Sequence, residues 1–124
     1  MAPQAQAVPT GTMRTCDGMD PSSLESPSTK RSVRAASGTL YELRYSSTAA
    51  CAWGRIQYGH MYDELWVDRA RSLTDANAGR WEPQLGWMML GTDTWGYTPA
   101  YDDDGMVMRA CGRSWGQVVC TGWY

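Results

Sequence analysis

From Ser32 to the C-terminus, apolar residues alternate with polar ones in short runs, and no eleven-residue window keeps them at three-to-four spacing. That pattern disfavours packed helices and points to strands. Residues 39–45 place Tyr41, Leu43 and Tyr45 on one face, a candidate core face, against Leu40, Glu42 and Arg44 on the other. Residues 52–58 set Ile56 and Tyr58 against Trp53, Arg55 and Gln57, and residues 62–70 set Leu65, Val67 and Arg69 against Trp66 and Asp68. Ser37-Gly38 marks a tight turn, and residues 73–79 are turn-rich. The later segments are each short and broken or bounded by Gly, Pro or Asp. The longest apolar run, Trp87 to Leu90, lies between Gly86 and Gly91 and is too short for an ordinary helix. Seven or eight such strands predict an all-β fold, a small antiparallel sandwich or barrel.

A chain of 124 residues is the size of one ordinary domain, with a modest core and a thin margin of stability. Its four cysteines, Cys16, Cys51, Cys111 and Cys120, are an even count in a short, loop-rich chain, which reads as a disulfide framework in an oxidising compartment. Zinc is the competing reading, but zinc sites use closely spaced cysteine pairs that are absent here. Of the three connectivities possible, we favour Cys111–Cys120 as a local hairpin staple and Cys16–Cys51 as a long tether. By loop closure these contribute about 3 and about 4 kcal/mol if unstrained.

Residues 1–15 are mostly Pro, Gln, Ala and Thr and read as a flexible N-terminal arm, with one β-domain over residues 16–124. Ala5-Gln6-Ala7 has the small-x-small form of a signal-peptidase site, without the charged and apolar parts of a signal peptide. Residues 17–31 have loop chemistry, fastened to the domain by Cys16.

The net charge of −2 gives no global basic field for nucleic acid or anionic lipid, and no apolar run is long enough to cross a bilayer. Gly112-Arg113-Ser114-Trp115-Gly116 matches the G-x-S-x-G of hydrolase nucleophile elbows. The match lacks its context, because no His, Asp or Glu follows and the sole histidine, His60, lies upstream; a hairpin turn is the expected role. His60 itself reads as a polar turn residue. Asp102-Asp103-Asp104-Gly105 could begin a calcium site, yet the EF-hand spacing is missing, and a solvated turn into the next strand is the simpler reading. Glu42, Glu64 and Glu82 show no spacing that selects a catalytic pair. The chain is therefore expected to be no enzyme, with no metal and no cofactor.

Seven Trp, seven Tyr and no Phe exceed what one small core needs, since each ring buries about 200 Å². Trp53, Trp66, Trp81, Trp87, Trp95 and Trp115, with Arg113, are the candidate contact residues, suited to protein hot spots or to stacking on sugars.

Three stretches carry a resemblance: Cys16-Asp17-Gly18-Met19-Asp20-Pro21, then Glu42-Leu43-Arg44-Tyr45-Ser46 leading to Cys51-Ala52-Trp53-Gly54-Arg55-Ile56, then Tyr97-Thr98-Pro99 leading to Arg109-Ala110-Cys111. In this order, over residues 16–120, the chain resembles an actinobacterial family of small secreted or surface-exposed domains whose biochemical role is uncharacterised. The resemblance implies an exported β-rich module, sometimes appended to larger regulators, with no assigned active site. Members carry another Cys soon after the Asp-Pro and often one before the first motif, where this chain has Ser, Leu and Thr. That departure leaves the partner of Cys16 open, with Cys51 the default. The expected function is a secreted, extracellular, non-catalytic adaptor binding a larger secreted or cell-surface protein through its arm. A subunit of a secreted antibacterial toxin assembly suits such a part. A module stacking cell-wall glycan on exposed Trp and Tyr is the alternative, and a virion or coat component a further one.

Overall fold

A computed structural model describes residues 16–124, and the expected arm, residues 1–15, lies outside them. The fold is all-β and antiparallel, in two sheets. One sheet runs in the order β1 (Pro27–Arg34), β2 (Leu40–Ser46), β3 (Cys51–Gln57) and β6 (Gly96–Tyr97), with β7 (Tyr101–Asp102) also pairing β3. The other runs β5 (Glu82–Met89), β4 (Glu64–Ala70), β8 (Val107–Ser114) and β9 (Gln117–Cys120). A one-turn helix, α1 (Leu73–Asn77), interrupts the turn-rich stretch after β4, with Ser72 as its N-cap accepting from the Asp75 amide.

The described residues thus hold nine strands, against the seven or eight expected. Two are mere pairs of residues, and the first five residues of β1 occupy ground read as loop from their Ser, Thr, Lys and Pro content, the alternation being read only from Ser32. β1 is an edge strand exposed along most of its length, so no buried face imposes alternation on its sequence. Its register with β2 slips between Thr29 and Arg31, a bulge at Lys30 of the kind that protects an edge from pairing.

The sheets pack face to face as a sandwich. Tyr41 and Ile56 of the first meet Leu65 of the second, while Leu43 and Ala52 meet Val67, Met108 and Ala110. Two close approaches need glycine. A Cβ at Gly54 would lie 3.1 Å from the Leu65 and Val67 side chains across the sandwich. A Cβ at Gly112 would overlap the Tyr41 ring and the Glu64 carbonyl, since that ring lies directly on the Gly112 backbone and its hydroxyl donates to the Arg113 carbonyl at 3.2 Å. The first glycine of the G-x-S-x-G pattern is therefore a packing residue.

A second, smaller apolar cluster sits outside the sandwich. The segment from Cys16 to Pro27 folds over the outer face of β3, where Cys16, Cys51, Trp53 and Ala100 pack with Leu24. Cys16–Cys51 and Cys111–Cys120 are both formed, the latter between directly paired strands. The segment is fastened by more than its cysteine: the Gly18 amide donates to Ala100 and the Ala100 amide to Met19.

Arg69, 3% exposed, joins this segment to both sheets. Its guanidinium forms a fork with Glu82 at 3.0 and 3.1 Å and another with Asp17 at 2.9 and 3.2 Å, and it donates to the Asp102 carbonyl at 3.0 Å. Burial works against the charged form, but Glu82 and Asp17 outweigh it and hold the group above its ordinary pKa.

Gly112→Ala is expected to lower unfolding stability by roughly 3 kcal/mol, the upper end of ordinary overpacking costs. A urea titration measures it, and an unchanged midpoint would show that the Tyr41–Gly112 contact does not restrict the site.

Candidate functional site

Two surfaces gather the candidate residues. The first is a groove of about 300 Å³ on the outer face of the β1–β2–β3–β6 sheet. Strand alternation sends Trp53, Arg55 and Gln57 of β3 outward, beside Arg44 of β2, and these form its floor. Trp95 and Tyr97 make one wall, their rings stacked at 6.2 Å with 30° between planes. Pro21, Leu24 and Pro27 of the folded-over segment make the other.

The polar groups of the floor are fixed in advance. Glu42 accepts from Arg55 Nε at 2.8 Å, Gln57 Nε2 at 2.7 Å and the Thr29 hydroxyl at 3.2 Å. Burial opposes its charge, but those bonds win and hold its carboxyl below the usual range. Arg44 donates to the Thr29 hydroxyl at 2.9 Å and meets no carboxylate at ion-pairing distance among the described residues. Burial, together with the Arg55 charge, pulls its guanidinium below the ordinary value.

The second surface is one tip of the sandwich. It joins the β3–β4 loop, residues 58–63, to the β8–β9 turn. Tyr58, Tyr62 and Trp115 stand here 65%, 71% and 73% exposed, with φ of 55°, 74° and 52°. A left-handed backbone suits Gly or Asn and costs a bulky side chain about 1–2 kcal/mol per residue. Trp115 and Gly116 both have positive φ, the two-residue hairpin turn for which Asn-Gly is the usual choice. Trp115 tilts over His60 at 5.1 Å, and the His60 Nε2–H donates to the Ser37 carbonyl at 3.1 Å.

The remaining candidates scatter. Trp66 is only 5% exposed beside Cys111 and offers no face to a partner. Trp81 and Trp123 lie 5.8 Å apart at an angle and both pack against Arg109, which pairs with Asp68 at 2.8 Å. Trp87 and Arg113 share Glu64, at 2.9 and 3.4 Å. Of the nominated residues, Trp53 and Trp95 meet in the groove, and Trp115 alone reaches the tip. Arg44, Arg55, Tyr97, Tyr58 and Tyr62 were not nominated. The outward parity of Arg44 and Arg55 beside Trp53 was a usable signal; nothing in the sequence marks a left-handed tyrosine.

The nucleophile-elbow match resolves into a hairpin. Ser114 is buried, its hydroxyl 2.6 Å from that of Ser37 and 3.3 Å from that of Thr39. Asp63 accepts from the Thr39 hydroxyl and the His60 amide, at 2.7 and 2.9 Å, so its carboxylate does not orient the His60 ring as a triad acid must. The trio with metal-ligand spacing among the described residues is Asp68, Cys111 and Cys120, and both sulfurs are in a disulfide.

Asp102 ends β7, and residues 103–106 form a turn closed by the Met106 amide donating to the Asp103 carbonyl at 3.3 Å, with Asp104 and Gly105 exposed at its tip. The expectation that this turn is solvated needs correction. Asp102 and Asp103 are buried, and Asp102 Oδ2 and Asp103 Oδ1 have no hydrogen-bond partner. Pairing of β7 with β3, and of the Asp103 amide with the Ala50 carbonyl at 2.8 Å, draws them inward. Burial, then the Asp102 charge, pushes the Asp103 carboxyl up to about 8.

Because Asp103 is raised in the folded state above its unfolded value near 4, the native state holds a proton that the unfolded chain has lost. The stability this proton gives is full below about pH 4 and is lost as pH rises through about 8. Melting temperature is thus expected to fall between pH 5 and pH 9 through this group, about these pKa values. Asp103→Asn should flatten that slope, and an identical slope in the variant would contradict the assignment.

The curated proteins and the solved structures contain no match to the chain. A family profile described as "protein of unknown function (DUF2690)" matches residues 14–111, which take in the groove floor, both ends of the Cys16–Cys51 link and the 58–62 loop. The chain belongs to this family of proteins of unknown function.

Proposed function

We propose that the protein is a non-catalytic, secreted binding module that docks onto a larger extracellular or cell-surface protein through its aromatic tip. The observation behind this reading is the placement of Tyr58, Tyr62 and Trp115 at left-handed positions while their rings remain mostly in solvent. A chain selected for stability alone would have Gly or Asn there. Exposed Tyr and Trp instead supply large, stiff contact area at low entropic cost, the common content of binding hot spots. Met61 and Met89, also exposed, add adaptable apolar surface.

Two formed disulfides support the extracellular assignment, since cytosolic thiols are kept reduced. Residues 1–15, with little to bury, are the proposed second contact. A subunit of a secreted assembly, such as an antibacterial toxin particle, fits a part with two separate docking elements.

The double variant Tyr62→Asn, Trp115→Asn separates binding from folding. It is expected to melt at the same temperature as the natural chain or above it, while losing the proteins that the natural chain retains from culture supernatant in affinity purification with mass spectrometry. Unchanged retention, or a melting temperature lowered by several degrees, would assign the rings a structural role instead.

A further inference from the structure

We infer that the groove on the outer face of the β1–β2–β3–β6 sheet is a site for an acidic glycan, with a sugar ring on the Trp95–Tyr97 platform and its carboxylate on Arg44. This site is separate from the tip and stands whether or not the tip binds a protein.

Shape and charge both point to this ligand. Two stacked, partly exposed rings leave aromatic surface open at the groove, to which a pyranose presents its C–H face against the electron-rich face of the aromatics. Beside the platform lie two guanidiniums, of which Arg55 is paired with Glu42, on a chain whose overall charge is −2. Glu42 directs its hydrogen bonds to Arg55, Gln57 and Thr29, so it acts on Arg44 only through space and not by direct contact. Asp20 accepts from the Ser22 amide, also interacts with Tyr97, and lines the adjoining depression with Gly18, Tyr97 and Pro99. The groove thus presents Arg44, a guanidinium with no carboxylate at ion-pairing distance among the described residues, as the cation open to an anionic ligand.

A peptide fits this floor less well. The backbone groups of β2 and β3 are paired to their neighbours, so an extended main chain laid across them finds no ladder to join. Each amide it buried without a partner would cost about 1–3 kcal/mol. A sugar carries its hydroxyls at the ring edge, within reach of the Arg55 and Gln57 side chains, and leaves no amide backbone to satisfy. The volume of about 300 Å³ is at the small end for ligand sites, enough for the terminal part of an oligosaccharide.

Isothermal titration of the full chain with tetragalacturonate and with a glucuronate–N-acetylglucosamine tetrasaccharide tests the site. At least one is expected to bind, with Kd raised by roughly tenfold or more in Trp95→Ala and in Arg44→Gln, and by a similar factor when the sugar carboxyls are reduced to alcohols. Both substituted side chains lie on the outer face, and an unchanged melting temperature confirms that the variants are folded. Absence of binding by both oligosaccharides at millimolar concentration would overturn the proposal. So would equal affinity for the carboxyl-reduced forms, or equally tight, Trp95-dependent binding of a hexaglutamate peptide.

Discussion

The buried guanidinium of Arg69 is the constraint from which the arrangement of the outer layers follows. A charge at 3% exposure is tolerable only when its donors are all met, and they are met by groups from three different places in the chain. Asp17 comes from the segment before β1, Asp102 from β7, and Glu82 from the first residue of β5. Satisfying Arg69 therefore draws the N-terminal segment, an edge of one sheet and an edge of the other to a single point. Asp17 completes the connection by accepting the Asp102 amide at 2.8 Å. Cys16, its neighbour, is covalently tied to Cys51 on β3, so polar and covalent links hold the same stretch.

That convergence explains why the molecule has apolar packing outside its sandwich. The inner faces of the two sheets account for Tyr41, Leu43, Ile56, Leu65 and Val67. Trp53 points the other way and would lie open on the sheet surface without the segment from Cys16 to Pro27 above it. Once that segment is pinned, its prolines and Leu24 become a wall, and Trp53, Arg55 and Gln57, with Arg44, become the floor of a groove, held by the hydrogen bonds of Glu42 and Thr29. The tip owes nothing to this arrangement. It is built from turns whose residues go against local backbone preference, with Trp115 tilted over His60.

Period-two alternation carried the architecture, because strands with one buried face record that burial in every second residue. Tyr41 and Leu43 were readable as core on that basis, while for Ile56, Leu65 and Val67 the alternation separated the two faces without choosing the buried one, Trp53 and Trp66 of the opposite faces being buried as well. β1 was not, since an exposed edge leaves no such record, and its serines and proline look like a loop. Both disulfide links follow the favoured pairing, Cys111–Cys120 being legible from its hairpin spacing. The candidate surfaces were legible only in part. Tryptophan content marked Trp53, Trp95 and Trp115, but residue type alone cannot separate them from Trp66, which is buried, or from Trp81, which is committed to Arg109. Asp102 and Asp103 went unrecognised as buried because an Asp-rich turn normally faces water; the pairing of β7 against β3 that turns them inward spans fifty residues of sequence.

Hydrogen exchange on Asp17→Ala tests most directly whether Arg69 holds the outer layer through this one carboxylate. The amides of Gly18, Ala100 and Asp102 should lose most of their protection, while those of β2 and β4 keep theirs, marking a local release of the groove wall from an intact sandwich. Undiminished protection at Gly18 and Ala100 would contradict this and assign the anchoring to the Cys16–Cys51 bond alone.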